Sequence, residues 1–231
     1  MIDDPRVAQL LDVIKRYGVT DARVLSAIAK TPREVFVDKS FDYAAYNDTA
    51  LPIACGQTIS QPFIVAYMTK ELEVGPDMRV LELGTGSGYQ AAVLSHLCRR
   101  VYSIERHRPL MREAQARFNK LNLHNIVTKH GDGLKGWSDQ APFDRIICTA
   151  AMDGVPQILI DQLKPGGVLL APIETGPKSN TGSTAESISQ QLTKIIRTEE
   201  GVKRETLIPV MFVPMLSGLP QEKSDAGDQR K

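Results

Sequence analysis

The sequence predicts an α/β protein: a doubly wound, mostly parallel sheet with an N-terminal helical cap and a C-terminal antiparallel hairpin. Three observations predict it. Short apolar runs alternate with helix-period segments from Val80 to Pro172. The stretch Val80-Leu81-Glu82-Leu83-Gly84-Thr85-Gly86-Ser87-Gly88-Tyr89-Gln90 passes from an apolar run through three alternate glycines into an apolar helix start. Two late apolar runs flank Glu199-Glu200-Gly201, the turn of a hairpin. A length of 231 residues with 42% hydrophobic content suits one such domain.

Taken in order, Arg6 to Tyr17 carries apolar residues at helical spacing and stops at Gly18. Asp21 can cap a second helix that Thr31-Pro32-Arg33 ends. These two helices precede the first parallel strand, so they cap the sheet, either as core cover or as a lid on a ligand. Phe36 to Pro52 mixes aromatics with acids and amides and reads as irregular. Gly56 permits a turn before Thr58-Ile59-Ser60-Gln61, and a helix opens at Pro62, where proline suits the first turn. Ser60 is positioned to cap that helix.

Beyond the glycine loop, a helix runs through Leu97 and a second strand covers Val101 to Ile104, closed by Glu105. Pro109 to Leu121 is a charged helix, and Ile126 to Lys129 is a third strand followed by Gly131-Asp132-Gly133. Phe143 to Cys148 is the fourth strand and Val155 to Leu163 a helix. Lys164-Pro165-Gly166-Gly167 turns into the fifth strand, Val168 to Pro172. Glu174 to Gln190 reads as an exposed loop, Leu192 to Ile196 as the sixth strand, and Leu207 to Pro214 as the last. Prolines at 209 and 214 remove donors and place that strand at an edge. The division expected is residues 1–60 as cap and substrate/cofactor loop, 61–216 as core, and 217–231 as a polar, disordered tail.

A net charge of +1 gives no field to hold a phosphate backbone, so nucleic acid is not the expected partner. No apolar run approaches the length of a membrane span, and the acidic start Met1-Ile2-Asp3-Asp4 does not read as a signal peptide. Cys55, Cys98 and Cys148 form no zinc spacing and no redox pair, so reduced thiols in the cytoplasm and no metal are expected.

Three loops fall at consecutive strand C-termini, the edge where such sheets bind ligands. The glycines Gly84, Gly86 and Gly88 allow close approach of a ligand. The G-x-G-x-G spacing differs from a dinucleotide fingerprint. Glu82 before it would welcome a cation and repel a pyrophosphate. Glu105 suits the two ribose hydroxyls, unless it is a surface glutamate beside Arg106. Asp132, with the Gly133 N–H, suits an adenine edge, unless it merely shapes a turn. A nucleoside with a cationic, phosphate-free tail answers this set. S-adenosyl-L-methionine fits, and the ordered pattern is that of the Rossmann-like class I methyltransferases.

Within that class, Gln57-Thr58-Ile59-Ser60-Gln61-Pro62 resembles the signature of the protein-L-isoaspartate O-methyltransferases, bacterial type. So do Leu51-Pro52-Ile53, the Glu82 to Gln90 loop, Gly131-Asp132-Gly133 with Gly136-Trp137, Ala141-Pro142-Phe143-Asp144 and Phe212-Val213-Pro214. The resemblance covers roughly residues 5 to 216. It implies methylation of the free α-carboxylate of L-isoaspartyl residues in damaged proteins, with S-adenosyl-L-homocysteine as product and repair through a succinimide. It implies that Thr58, Ile59, Ser60, Glu82, Gly84, Thr85, Gly86, Ser87, Gly88, Glu105, Asp132 and Gly133 bind the cofactor. Thr58, Ser60, Val210, Phe212, Val213 and Pro214 would meet an isoaspartyl peptide, with Ser60 orienting the carboxylate as the catalytic residue. The protein is expected to be a monomer. Methylation of RNA or of a small molecule, or nucleoside binding without catalysis, are the other readings the residues leave.

Overall fold

Asp4 opens the chain's first helix: its carboxylate accepts the Arg6 N–H at 2.8 Å, and α1 runs Pro5–Arg16 with proline in the first turn. The structure is a computed structural model and describes residues 4–176 and 190–220. The core of the expected 174–190 loop and the 221–231 tail lie outside the described residues. Gly18, at φ 89°, ends α1, and Asp21 caps α2 (Ala22–Lys30) through the Arg23 and Val24 N–H groups.

Two 3-10 turns lead to a small ladder, in which β1 (Leu51–Pro52) pairs antiparallel with β2 (Thr58–Ile59). The 3-10 turn Ala54–Gly56 joins them, with Cys55 in the left-handed region at φ 59°. α3 spans Pro62–Glu71. Its first-turn Phe63 N–H goes to Asp48 Oδ1 at 2.8 Å, and no side chain at its own N-cap serves it. Ser60 therefore does not cap this helix, contrary to that alternative; a carboxylate from fifteen residues upstream does the work.

The alternation then runs β3 (Arg79–Leu83), α4 (Tyr89–Ser95), β4 (Arg100–Glu105), α5 (Arg108–Lys120) and β5 (Ile126–His130). Next come β6 (Phe143–Cys148), α6 (Gln157–Asp161), β7 (Leu163–Glu174), β8 (Gln190–Thr198) and β9 (Gly201–Val210). Among the described residues the main sheet has seven strands in the order β5-β4-β3-β6-β7-β8-β9. The pairs from β5 through β7 are parallel; β8 and β9 return antiparallel. The order reverses about β3, so a crevice opens where the β4, β3 and β6 ends meet.

Both faces are covered. Val80, Val93 and Val101 join α1 to α5 in one cluster, while Leu81, Leu83, Ile104 and Ile146 pack with Leu159 and Ile160 of α6 on the other. The N-terminal helices thus share the core of the sheet. Among the described residues no helix is long and apolar enough to cross a membrane.

Two boundaries differ from expectation. The Lys164 to Gly167 turn is absorbed into β7, where the ladder to β6 shifts register between Phe143 and Arg145. The last strand is Gly201–Val210, not Leu207 to Pro214, because the hairpin closes tightly with Thr198 paired to Gly201. Met211 to Pro220 then leaves the sheet as an irregular strap across the strand ends. Val213 O accepts from Ala151 N at 2.8 Å, and Ala151 O accepts from Met215 N at 2.6 Å.

At Gly88 the backbone has φ 94°, and an added Cβ would lie 2.7 Å from the Phe118 ring of α5. Gly88→Ala combines a left-handed residue with overpacking and is expected to cost roughly 2–4 kcal/mol. Urea unfolding at fixed pH checks this; a loss below about 1 kcal/mol would mean that the ring moves aside freely.

Candidate functional site

β3 is buried on both faces and apolar at Val80, Leu81 and Leu83, with Glu82 the one polar residue between them, and it ends where the chain must turn sharply over β4. Gly84 N and Thr85 N both point at Ile104 O, at 2.9 and 3.3 Å, and Gly84 lies at φ 98°. A Cβ there would meet Thr149 Oγ1 at 2.4 Å. Thr149, just past β6, donates its hydroxyl to Gly84 O at 2.6 Å and so clips the loop to the next strand end.

Glu105 ends β4, on the same pleat face as Val101 and Ser103. It is 4% exposed. One oxygen accepts Gly86 N–H and the other accepts His107 N–H, each at 2.8 Å. Both oxygens keep further lone-pair sites, and the residue lines a cleft of about 570 Å³. Thr58, Gly84, Gly86 and Gly133 line the same cleft.

A smaller cavity beside it is lined by Ile59, Ser60, Thr85 and Ser87. A groove of about 880 Å³ follows, lined by Thr58, Ser60, Gln61, Val210, Phe212 and Val213. Thr58 and Thr149 line all three spaces. The structure thus brings together most of the residues expected from sequence. Gly88 stands one step back, as the N-cap of α4.

Three expected roles change. Glu82 lines none of these cavities. Strand alternation puts it on the face of Val80, fully buried, where Ser103 Oγ donates to its Oε2 and Ser103 is in turn bonded to Thr85 Oγ1 at 2.6 Å. Burial pushes its pKa up to about 8, with Glu105 adding to the rise and the Ser103 bond opposing it. At neutral pH Glu82 is mostly protonated. It braces the glycine loop from below and offers no carboxylate to a cation.

Asp132 also lines none of these cavities. Its Oδ1 accepts Leu134 N–H at 3.0 Å and its Oδ2 accepts Gly218 N–H at 2.8 Å, so the carboxylate fastens the strap, and Gly133 is the member of the pair that lines the cleft. Pro214 belongs with Met215 and Leu216 on the wall of the Glu105 cleft, not on the groove. Phe212 is itself fixed: Gln190 donates to its carbonyl at 3.1 Å and accepts from its N–H at 2.7 Å.

Sequence reasoning missed Thr149, His107, Met215 and Leu216. Thr149 follows the fourth strand directly, so extending the strand-end argument by one strand would have found it. Met215 and Leu216 lie in a segment without periodicity and carry no such signal.

The model of the family described as protein-L-isoaspartate(D-aspartate) O-methyltransferase matches residues 5–219. A protein-L-isoaspartate O-methyltransferase of Parvibaculum lavamentivorans is 55% identical over 214 residues, covering 93% of each chain. A solved protein-L-isoaspartate O-methyltransferase superposes with TM-score 0.78 at 28% identity, covering 90% of this chain and 65% of that one. A Plasmodium falciparum structure, described as a protein-L-isoaspartate O-methyltransferase and solved with S-adenosyl-L-homocysteine, gives TM-score 0.73 at 24% identity. It covers 91% of this chain and 98% of that one.

The raised pKa of Glu82 has a consequence for stability. The folded protein holds this proton from the ordinary value of 4.5 up to about 8, while the unfolded chain has released it. Stability therefore falls as pH rises through that window, by up to about 1.4 kcal/mol per unit, and levels off above it. Glu82→Gln carries no titrating group and is expected to flatten that slope. Unfolding free energies of both proteins between about pH 5.5 and 8 decide it; equal slopes would show Glu82 ionised in the fold.

Proposed function

The chain belongs to the protein-L-isoaspartate(D-aspartate) O-methyltransferase family, and from that premise we propose that methyl transfer runs across the junction at Thr58, Ser60 and Thr149. The activity is methylation of the free α-carboxylate of L-isoaspartyl residues in damaged proteins and peptides. The ester then recloses to succinimide without further help. The observation that carries the assignment of the junction is the shared lining: Thr58 and Thr149 border the Glu105 cleft and the groove alike.

The cleft fits S-adenosyl-L-methionine. Glycine backbone at Gly84, Gly86 and Gly133 lines it, and so does a carboxylate with unused acceptor sites. Glu105 is the residue for the ribose hydroxyls. The Gly133 main chain and Met215 and Leu216 of the strap enclose the base end. When bound, S-adenosyl-L-methionine supplies an electrophilic methyl on a positively charged sulfur.

The acceptor carboxylate is already ionised at neutral pH, with an ordinary pKa near ~4, so the protein needs no general base. No histidine lines the groove. What remains for the chain is orientation and exclusion of water. Ser60 and Thr58 offer hydroxyls to the carboxylate from the end of the β1–β2 ladder. Met211 keeps both main-chain groups, and Val213 its N–H, without partners among the described residues. An extended peptide can pair there, a mode that tolerates many sequences. Phe212 takes no part in that pairing, since Gln190 occupies its N–H and carbonyl. A monomer in the cytoplasm completes this reading: the cysteines are free, which suits a reducing compartment, and sedimentation of the purified protein tests the monomer.

Two substitutions separate cofactor from acceptor. Glu105→Ala is expected to weaken S-adenosyl-L-methionine binding by about 2–4 kcal/mol, roughly thirty-fold or more. Calorimetric titration reads this, and an unchanged affinity with the fold intact would remove Glu105 from the ribose. Ser60→Ala is expected to cut single-turnover methylation of an isoaspartyl peptide about ten-fold or more while leaving cofactor affinity nearly unaltered. Turnover at the parent rate would end the assignment of Ser60.

A further inference from the structure

Arg33 is the largest of the fully buried side chains, at 0% exposure. Among the described residues it has no carboxylate within ion-pair distance. Its Nη1 donates to Ser60 O at 2.9 Å and its Nη2 to Thr49 O at 3.1 Å. Its Cζ lies 5.0 Å from the centre of the Tyr89 ring, and its Nε finds no acceptor. Asp48 is near enough to act on it through space. Each Asp48 oxygen accepts from a neutral amide, Gln61 Nε2 and Phe63 N, at 2.8 Å, so its charge reaches Arg33 only through space and not as a direct ion pair.

A buried cation held by two carbonyls and a ring is a costly way to fasten a loop. Neutral donors could satisfy the same carbonyls, and a buried charge with no carboxylate in direct contact is penalised by desolvation. Arginine remains charged even so. The place of the expense is informative. Ser60 O lies in the peptide that joins Ser60 to Gln61, and both residues line the groove. The acceptor that comes there carries a negative charge.

We propose that Arg33 is a positioning residue for the acceptor: it fixes the Ser60 main chain against Thr49 and sets a positive charge, held in no direct ion pair, behind the segment that meets the substrate carboxylate. The inference rests on the acceptor role of Ser60. Arg33 acts from inside the core and touches neither ligand, and it lies in the N-terminal cap, outside every motif that pointed to the site. Charge and geometry both contribute, because a charge-assisted bond to the Ser60 carbonyl restricts the turn from which the Ser60 hydroxyl projects.

Arg33→Lys keeps the charge but can hold only one carbonyl with correct geometry, and Arg33→Gln removes the charge. The expected result is a fall in kcat/KM for a synthetic isoaspartyl peptide of about ten-fold or more in Arg33→Gln, and a smaller fall in Arg33→Lys. The Kd for S-adenosyl-L-methionine, read by calorimetry, should stay within about three-fold in both, since the contacts of Glu105 are untouched. Combined with Ser60→Ala, the losses should be less than multiplicative, because both act on one group. Peptide kcat/KM within about two-fold of the parent in both variants, whatever the melting temperature, overturns the inference. Losses that multiply independently of Ser60, or that appear equally in cofactor affinity, also overturn it. Should Arg33→Gln fail to fold, Arg33→Lys carries the same readouts. The two levels fail differently: parent turnover in Ser60→Ala sinks the acceptor reading of Ser60, whereas an impaired Ser60→Ala beside unimpaired Arg33 variants sinks this inference alone.

Discussion

One carboxylate holds the site in shape. Glu105 accepts the Gly86 N–H and the His107 N–H, so it ties the glycine loop after β3 to the turn that starts α5. A loop with positive φ at Gly84, Gly86 and Gly88 has little local preference for one conformation, and glycine gives up more backbone freedom on folding than any other residue. Two hydrogen bonds to an anion offset that cost better than neutral partners would. Glu105 also lines the cleft, so the group that fixes the loop is the one proposed to meet the nucleoside. Thr149 closes the arrangement from the β6 side by its bond to Gly84 O. The cleft exists because three neighbouring strand ends are bound to one another, and the parallel register of β4, β3 and β6 brings those ends level.

Two buried ionisable groups beneath this surface behave in opposite ways. Glu82 can escape the cost of burial by taking up a proton, even though the Ser103 bond favours the charged form. Arg33 has no such escape, because a guanidinium does not lose its proton in a protein. In the proposed reading the carboxyl lies beneath the cofactor cleft and the guanidinium beneath the acceptor groove. In that reading a neutral Glu82 presents no charge beneath a cationic cofactor, and a charged Arg33 stands behind an anionic acceptor.

Most of the fold was legible in the sequence because parallel strands buried on both faces are continuous apolar runs and the glycine turn has few alternatives. Phe143 to Cys148 was placed to the residue, and α1, α3 and β3 to within one. The errors concentrate where a distant partner decides. Ser60 looked like a helix cap because capping is normally local, yet Asp48 serves α3 across fifteen residues. Glu82 looked like a ligand because its position before the glycines is adjacent in sequence, while the pleat directs it the other way. Asp132 kept its place at a strand end but also fastens Leu134 and Gly218, and Gly218 belongs to a strap that no periodicity announces. Arg33 was read only as part of a helix stop; its burial depends on Thr49, Ser60 and Tyr89 meeting in space.

The reaction asks little of side-chain chemistry, and this explains the form of the acceptor side. The nucleophile arrives ionised, so rate depends on alignment, and damaged residues occur in no fixed sequence, so recognition cannot rely on neighbouring side chains. Main chain is the part common to all substrates. The strap answers both requirements. In the proposed reading its Met211 and Val213 backbone pairs with the peptide, while Pro214, Met215 and Leu216 line the Glu105 cleft. Its anchors are Gln190 at the start of β8, Ala151 after β6 and Asp132 after β5. These belong to three different strands, so the position of the wall is set by the sheet itself. A loop anchored at one end would leave the acceptor oxygen free to wander by distances that already cost orders of magnitude in rate. An irregular segment pinned to three strand ends gains the precision of the sheet while keeping unpaired backbone available at its edge.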